Sequence, residues 1–279
     1  MAKAMTNRKL ALGIGVGYQD SFENTVKFTK SAGFDGCFTG CNRDGSDIAE
    51  MAETIAKNGL IYQSVHSPFT KVHHLWEEGE EGEHQTDLLI SCLNACQRSD
   101  VPIMIVHPII GMDRHTPNDL GIKRFARLVE AAEKTNVMLA FENVENLEYL
   151  DKIFADLGNS SSVGLCWDTG HEMCYNFHTD IPGRFPGKLI ATHFNDNLGI
   201  TDPANVTWHD DAHLLPTDGI ADWAGIMRRI ERENYSGIIT FEITRNNKPD
   251  RHTHDIYDGL DHEAFIALAY EKACKVVSM

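Results

Sequence analysis

The sequence predicts an α/β fold, a single (β/α)8 barrel taking in residues 1–279 as one domain, and three observations predict it. Short apolar runs with strand character alternate with helical-period segments along the whole chain. Six of those runs finish in a metal-competent side chain: Ile61 to His66, Ile103 to His107, Met138 to Glu142, Val163 to Asp168, Lys188 to His193 and Gly237 to Glu242. The length, 279 residues, fits one such barrel without a second domain, since these folds run to about 250 residues. In a parallel barrel every strand opens its C-terminus on one face, which is where such proteins keep their chemistry. One core histidine or glutamate at a strand end is ordinary; six on one edge read as an active site.

The first strand is Leu10 to Gly17, followed by a helix from about Ser21 to Ala32. Gly13, Gly15 and Gly17 superficially imitate a dinucleotide fingerprint, but the third glycine is at the wrong offset and no acid ends a second strand at the right distance. A second strand near Phe34 to Phe38 precedes a helix from Gly45 to Lys57, where Ile48, Met51, Ala52 and Ile55 recur at helical spacing, and Gly59 stops it. The third strand delivers His66. Lys71 to Gln85 then carries His73, His74 and Trp76 into a run of glutamates, Glu77 to Glu83. Such a run reads first as a solvated loop, and second as a mobile flap over the pocket with Trp76 near the ligand. A helix from Thr86 to Gln97 leads to the fourth strand and His107; another, Asn118 to Lys134, leads to the fifth strand and Glu142. After a helix from Leu147 to Leu157 comes the central stretch, Val163-Gly-Leu-Cys-Trp-Asp168-Thr-Gly-His171. A carboxylate and an imidazole converging there suit a borderline divalent metal; the plainer reading makes Asp168 a helix N-cap and His171 incidental. The seventh strand ends in His193, an insertion carries Asp211-Ala-His213, a helix runs from Asp222 to Glu233, and the eighth strand ends in Glu242 with Arg245 just beyond. An amphipathic helix, His262 to Val277, closes the chain.

The formal charge is −16, and the one Arg-rich run is Met227-Arg228-Arg229. A protein gripping a phosphate backbone carries a basic footprint, so nucleic acid is not expected as a partner. No apolar run approaches the roughly twenty residues of a membrane span, and the first residues have charge without an apolar stretch, so neither a membrane nor a signal peptide is expected. Seven cysteines at irregular spacing, with no CxxC, suggest reduced thiols in a cytoplasmic protein; Cys92 and Cys96 share a helical face and read as packing residues. His178, His252, His254 and His262 read as surface residues. A homo-oligomer is left open.

Phe141-Glu142-Asn143, Trp167-Asp168-Thr-Gly-His171, Thr192-His193-Phe-Asn-Asp196, His213-Leu-Leu-Pro-Thr-Asp-Gly-Ile-Ala-Asp222-Trp223 and Phe241-Glu242 carry a resemblance. In the order they take along the barrel, the chain resembles the xylose isomerase-like TIM barrel superfamily, in particular sugar isomerases and epimerases of the D-tagatose 3-epimerase type. The resemblance implies one divalent metal (Mn, Co, Zn or Mg) held by Glu142, Asp168, His193 and Glu242. It also implies that the two glutamates move the proton and that His171 contacts the substrate. The related trinuclear-zinc apurinic-site endonucleases use further ligands, matched here by His66, His107, His171, Asp211 and His213. The metal count therefore stays open between one and three.

Glu142 and Glu242 end the fifth and eighth strands and so can face each other across the barrel mouth. One could take a proton beside a ketose carbonyl and the other return it, to the opposite face for epimerisation or to the neighbouring carbon for isomerisation. The plainer reading makes both only ligands. His66, His107 and His171 can bind sugar hydroxyls or a second metal; Arg245 can steady an anionic group or form a surface ion pair. The expected function is a metal-dependent isomerase or epimerase of a ketose or related small sugar derivative. The alternatives are a multinuclear metal hydrolase resembling an endonuclease-type phosphodiesterase, and a metal-dependent lyase acting on a keto-sugar.

Overall fold

The computed structural model describes residues 8–15, 20–112 and 116–279. The first seven residues and Gly17, on which two of the readings above fall, lie outside them. Among the described residues eight strands form one sheet: β1 (Leu10–Ile14), β2 (Gly36–Gly40), β3 (Ile61–His66), β4 (Ile103–Val106), β5 (Met138–Glu142), β6 (Val163–Asp168), β7 (Leu189–His193) and β8 (Ile239–Phe241). Each pairs in parallel with the next along the chain from β1 to β7, and β8 pairs with β1. The ring is completed by a single parallel bridge between Phe194 and Phe241, with Phe194 N–H on the Thr240 carbonyl at 2.8 Å and Glu242 N–H on the Phe194 carbonyl at 3.0 Å. The result is a (β/α)8 barrel, as the alternation of runs predicts.

The helices wrap the outside: α1 (Phe22–Ala32), α2 (Ile48–Lys57), α3 (Glu80–Arg98), α4 (Asp119–Thr135), α5 (Glu148–Leu157), the short α6 (Thr169–Cys174) and α7 (Ile181–Arg184), α8 (Trp223–Arg232) and α9 (His262–Val276). Their starts follow from capping side chains. Ser21, Asn118, Asp222 and Asp261 each accept a backbone N–H of the first turn. Gly59, with φ of +70°, sits just past α2, where a left-handed residue ends a helix cheaply. Gly13 has a packing reason, because a Cβ there would come within 2.6 Å of the Phe38 ring. No helix among the described residues is long and apolar enough to cross a membrane.

The glutamate run departs from expectation. Glu77 to Gly79 stay outside any helix, but from Glu80 the run enters α3, which starts six residues earlier than the periodicity suggests. Glu80, Glu81 and Glu83 occupy the first turn, where the helix dipole favours negative charge. Val72–Trp76 before it forms a 3-10 helix, and Trp76 is buried with Nε1 donating to the Pro108 carbonyl at 2.7 Å. Two histidines read as surface residues are also buried. His262 is paired with Asp20 at 2.9 Å, and His254 bonds Thr253.

Inside the barrel, Ile105, Ala140, Cys166 and Ala191 pack as a separate small cluster. Strand side chains alternate faces, so the residue two positions on from each points the same way, one layer higher. Those residues are His107, Glu142, Asp168 and His193. Beyond β7, Asp196 organises the insertion. Its buried carboxylate accepts the backbone N–H of Asn197, Thr217 and Ala221 and the Trp223 indole N–H, all at 2.8 to 2.9 Å. Its own backbone exchanges two hydrogen bonds with Leu214, next to His213. Each stranded buried donor costs about 1–3 kcal/mol. Asp196→Ala is therefore expected to lower stability by about 3 kcal/mol or more, read as a shifted urea midpoint at unchanged slope.

Candidate metal centre

One donor atom each from Glu142, Asp168, His193 and Glu242 lie within 4.8 Å of one another at the C-terminal mouth. His193 Nδ1 is 2.8 Å from Glu142 Oε1 and 3.0 Å from Glu242 Oε2. Phe38 stacks on its ring at 4.4 Å between centroids and fixes its plane. Asp168 and His193 are register partners across β6 and β7, made so by a one-residue shift between Leu165 and Cys166. Asn195 donates Nδ2 to both Asp168 oxygens, and Asn143 clasps the Asp168 backbone from both sides, accepting its N–H and donating to its carbonyl. The plainer reading of Asp168 holds at the same time. It caps α6 by accepting the His171 N–H at 2.7 Å.

The other candidates crowd against this group. His171 Nε2 and His213 Nε2 lie 3.4 and 2.7 Å from Asp211 Oδ2, a second set of three donors. His66 Nε2 and His107 Nε2 lie 3.1 Å apart, at 3.3 and 2.9 Å from Glu142 Oε2. Neither ring is aligned to donate, and that buried oxygen is left without a hydrogen bond. Arg245 shows a main-chain contact besides the two readings made for it. Its Nη1 donates to the Leu260 carbonyl at 2.7 Å, tying the segment after β8 to the start of α9.

The tautomers say what the cluster is built for. Nδ1 of His66, His171 and His213 faces the carbonyl of Ser67, Asn143 and Glu242, at 2.9 to 3.0 Å. A carbonyl only accepts, so each Nδ1 carries a proton, and Nε2, bare whenever the ring is neutral, points toward a carboxylate or another nitrogen. Lone pair then opposes lone pair, unless a proton or a metal stands between. Anchoring one ring nitrogen on the main chain is also how metal-binding histidines are oriented. The donors are imidazoles and carboxylates, a set suited to zinc, manganese or cobalt.

Charges follow the same geometry. Burial pushes the Asp168 carboxyl up to about 6. Burial also opposes ionisation of Glu242, but the His193 imidazole beside it holds it down at about 2. Burial works against a charged His213, yet Asp211 lifts it to about 9, while burial drops His107 to about 4. His171 and His193 stay well above the usual histidine range despite burial, through Asp168 and Asp211 for one, and Cys166, Glu142 and Glu242 for the other.

Sequence reasoning passed over Asn143 and Asn195 as functional positions, although both sit in the quoted motifs. It also missed Phe69 and Tyr175. Phe69 stacks on His107 at 4.6 Å, and Tyr175 lies 5.1 Å from His171. Only adjacence to a strand end or a site helix could have flagged these four.

Fold and site together define a parallel α/β barrel with an imidazole–carboxylate cluster at the C-terminal mouth. The chain belongs to the xylose isomerase-like TIM barrel family, which matches residues 26–262. Among solved structures it superposes on the IolI protein with a bound zinc atom (TM-score 0.75, 15% identity, 97% of this chain and 98% of that one). Sugar epimerases superpose as well, among them D-psicose 3-epimerase from Clostridium cellulolyticum H10 with D-tagatose (TM-score 0.70, 14% identity, 96% and 99%). A curated relative, the uncharacterized protein y4fM of Sinorhizobium fredii, is 30% identical over 183 residues, 61% of this chain. The match spans 55% of that relative's length and 63% of a second one's.

A ligand proton competes with a metal for the same lone pair. Asp168 is free of its proton above about 6 and His213 above about 9. Metal affinity of chelator-treated protein is expected to rise with pH through this window, with proton release on binding. Calorimetry in buffers of different ionisation enthalpy measures it, and affinity flat from pH 6 to 9 would contradict the assignment.

Proposed function

We propose that the chain is a divalent-metal-dependent isomerase or epimerase of a ketose or a related small sugar derivative. The carrying observation is that Glu142 and Glu242, from opposite sides of the β7–β8 junction, converge on one imidazole nitrogen at 2.8 and 3.0 Å. A metal bound among Glu142, Asp168, His193 and Glu242 supplies Lewis acidity, lowering the cost of negative charge on the oxygens beside the reacting carbon. The residues do the rest. Glu242, 18% exposed at the side chain and ionised at neutral pH, is the carboxylate open to substrate, and takes the carbon-bound proton. Glu142, fully buried and ringed by His66, His107 and His193, holds the other face. Returning the proton there inverts the carbon; returning it to the neighbouring carbon of the enediolate interconverts aldose and ketose. In this reading His171 and His107 bind substrate hydroxyls, and Phe69, stacked on His107, offers an apolar surface to the sugar.

General acid–base catalysis contributes about 10²–10⁴-fold. Glu142→Gln and Glu242→Gln are each expected to lower kcat by that order, with metal content measured on the same samples to separate a lost ligand from a lost base. A drop of less than about tenfold, roughly 1.4 kcal/mol, would remove either residue from proton transfer.

The second reading, a multinuclear hydrolase, draws on the separate His171, Asp211 and His213 set. Incubating ketoses in heavy water separates the two. Metal-dependent deuterium at one carbon is expected of the isomerase or epimerase, and of a lyase together with loss of a leaving group. Cleavage by water with no carbon-bound label would move the assignment to the hydrolase.

A further inference from the structure

A further group of imidazoles and a carboxylate lies where the glutamate run begins, and it shares no residue with the barrel mouth. We propose that His73, His74 and Glu77 form a peripheral site for a borderline divalent cation such as zinc. Val72–Trp76 is one 3-10 helix, and in that geometry residues i and i+3 stand one above the other. Val72, Leu75 and Trp76 are buried, while His73, His74 and Glu77 are partly exposed, and the Glu77 N–H closes the last turn on the His74 carbonyl at 3.2 Å. One donor atom from each of the three lies within 4.8 Å of the others. His74 Nδ1 and Glu77 Oε2 are 2.7 Å apart, and the two imidazole centroids are 4.1 Å apart. Ligands at about 2.0–2.2 Å from a tetrahedral zinc are roughly 3.3 Å from each other, so modest side-chain rotations bring all three onto one ion.

The frame beneath the donors is rigid. Arg124, almost fully buried in α4, donates Nη1 to the carbonyls of His74, Leu75 and Glu77, Nη2 to that of Gly79, and Nε to Glu83. The backbone of the donor segment is thereby fixed before any cation arrives, and the ordering cost falls only on three side chains. The field is favourable too. Glu78, Glu80 and Glu81 follow directly in the sequence, and the nearby cation Lys71 is turned to Glu81 at 3.4 Å. Two imidazoles and a carboxylate suit zinc, nickel or copper over magnesium or calcium.

Equilibrium dialysis of chelator-treated protein against buffered zinc, with the metal counted by mass spectrometry, tests the site directly. Wild type is expected to bind about one zinc more per chain than His73→Asn, His74→Asn or Glu77→Gln. Glu142→Gln should lose zinc at the mouth but keep this equivalent. The three donors are partly solvent-exposed, and a thermal melt of each variant confirms folding. Equal zinc in wild type and in all three folded variants would overturn the proposal. So would a loss of the extra equivalent in Glu142→Gln with its retention in His74→Asn.

Discussion

Negative charge that cannot reach water governs the mouth of this barrel. Glu142 and Asp168 are fully buried, Asp211 nearly so, and Glu242 is largely covered. An isolated carboxylate in such a place would cost far more than the few kcal/mol that hold a domain together, unless positive charge or aligned donors meet it. The imidazoles of His171, His193 and His213 supply that match, and Asn143 and Asn195 aim the acids. The small side chains beneath, Ala140, Cys166 and Ala191, leave room for these groups above them. Much of the geometry around the strand ends is the answer to one electrostatic demand.

The parts legible in the sequence are those that this demand and strand alternation impose locally. His107, Glu142, Asp168 and His193 each stand two residues beyond an apolar residue on the same face, so a run ending in an acid or histidine betrays both the strand and its inward side. Asp211 and His213 sit in an irregular insertion fixed by Asp196, and no period announces them; only the resemblance did. The glutamate run was misjudged because counting charge overlooked that glutamate is a good helix former and is favoured in a first turn. Arg124 was invisible for a different reason. Its partners lie more than forty residues away, and nothing in an amphipathic helix distinguishes one arginine from the next. Arg245 follows a strand end, and the structure adds a contact that this position does not announce, one Nη1 bond to the Leu260 carbonyl.

Asp168 carries two duties usually given to separate residues. It contributes an oxygen to the cluster and caps the helix that bears His171. The two carboxylate oxygens allow this, since one can accept from the backbone while Asn195 holds both in plane. Position and chemistry are therefore not independent here. A change at Asp168 alters the helix start, the approach of His171 to Asp211 and the charge of the mouth together.

The junction of β7 and β8 gives this arrangement a meaning in time as well as in space. Every other neighbouring pair shares a ladder, whereas these two strands meet through a few bonds between Phe194, just past β7, and Thr240 and Glu242 at the end of β8. The last strand must also find β1, the most distant partner in the chain, and such contacts form late because the loop they close is long. His193 and Glu242 face each other across that junction. The site is thus a clasp on the seam of the barrel: its two sides meet only when the cylinder shuts, and a cation held by both would also slow the seam's reopening.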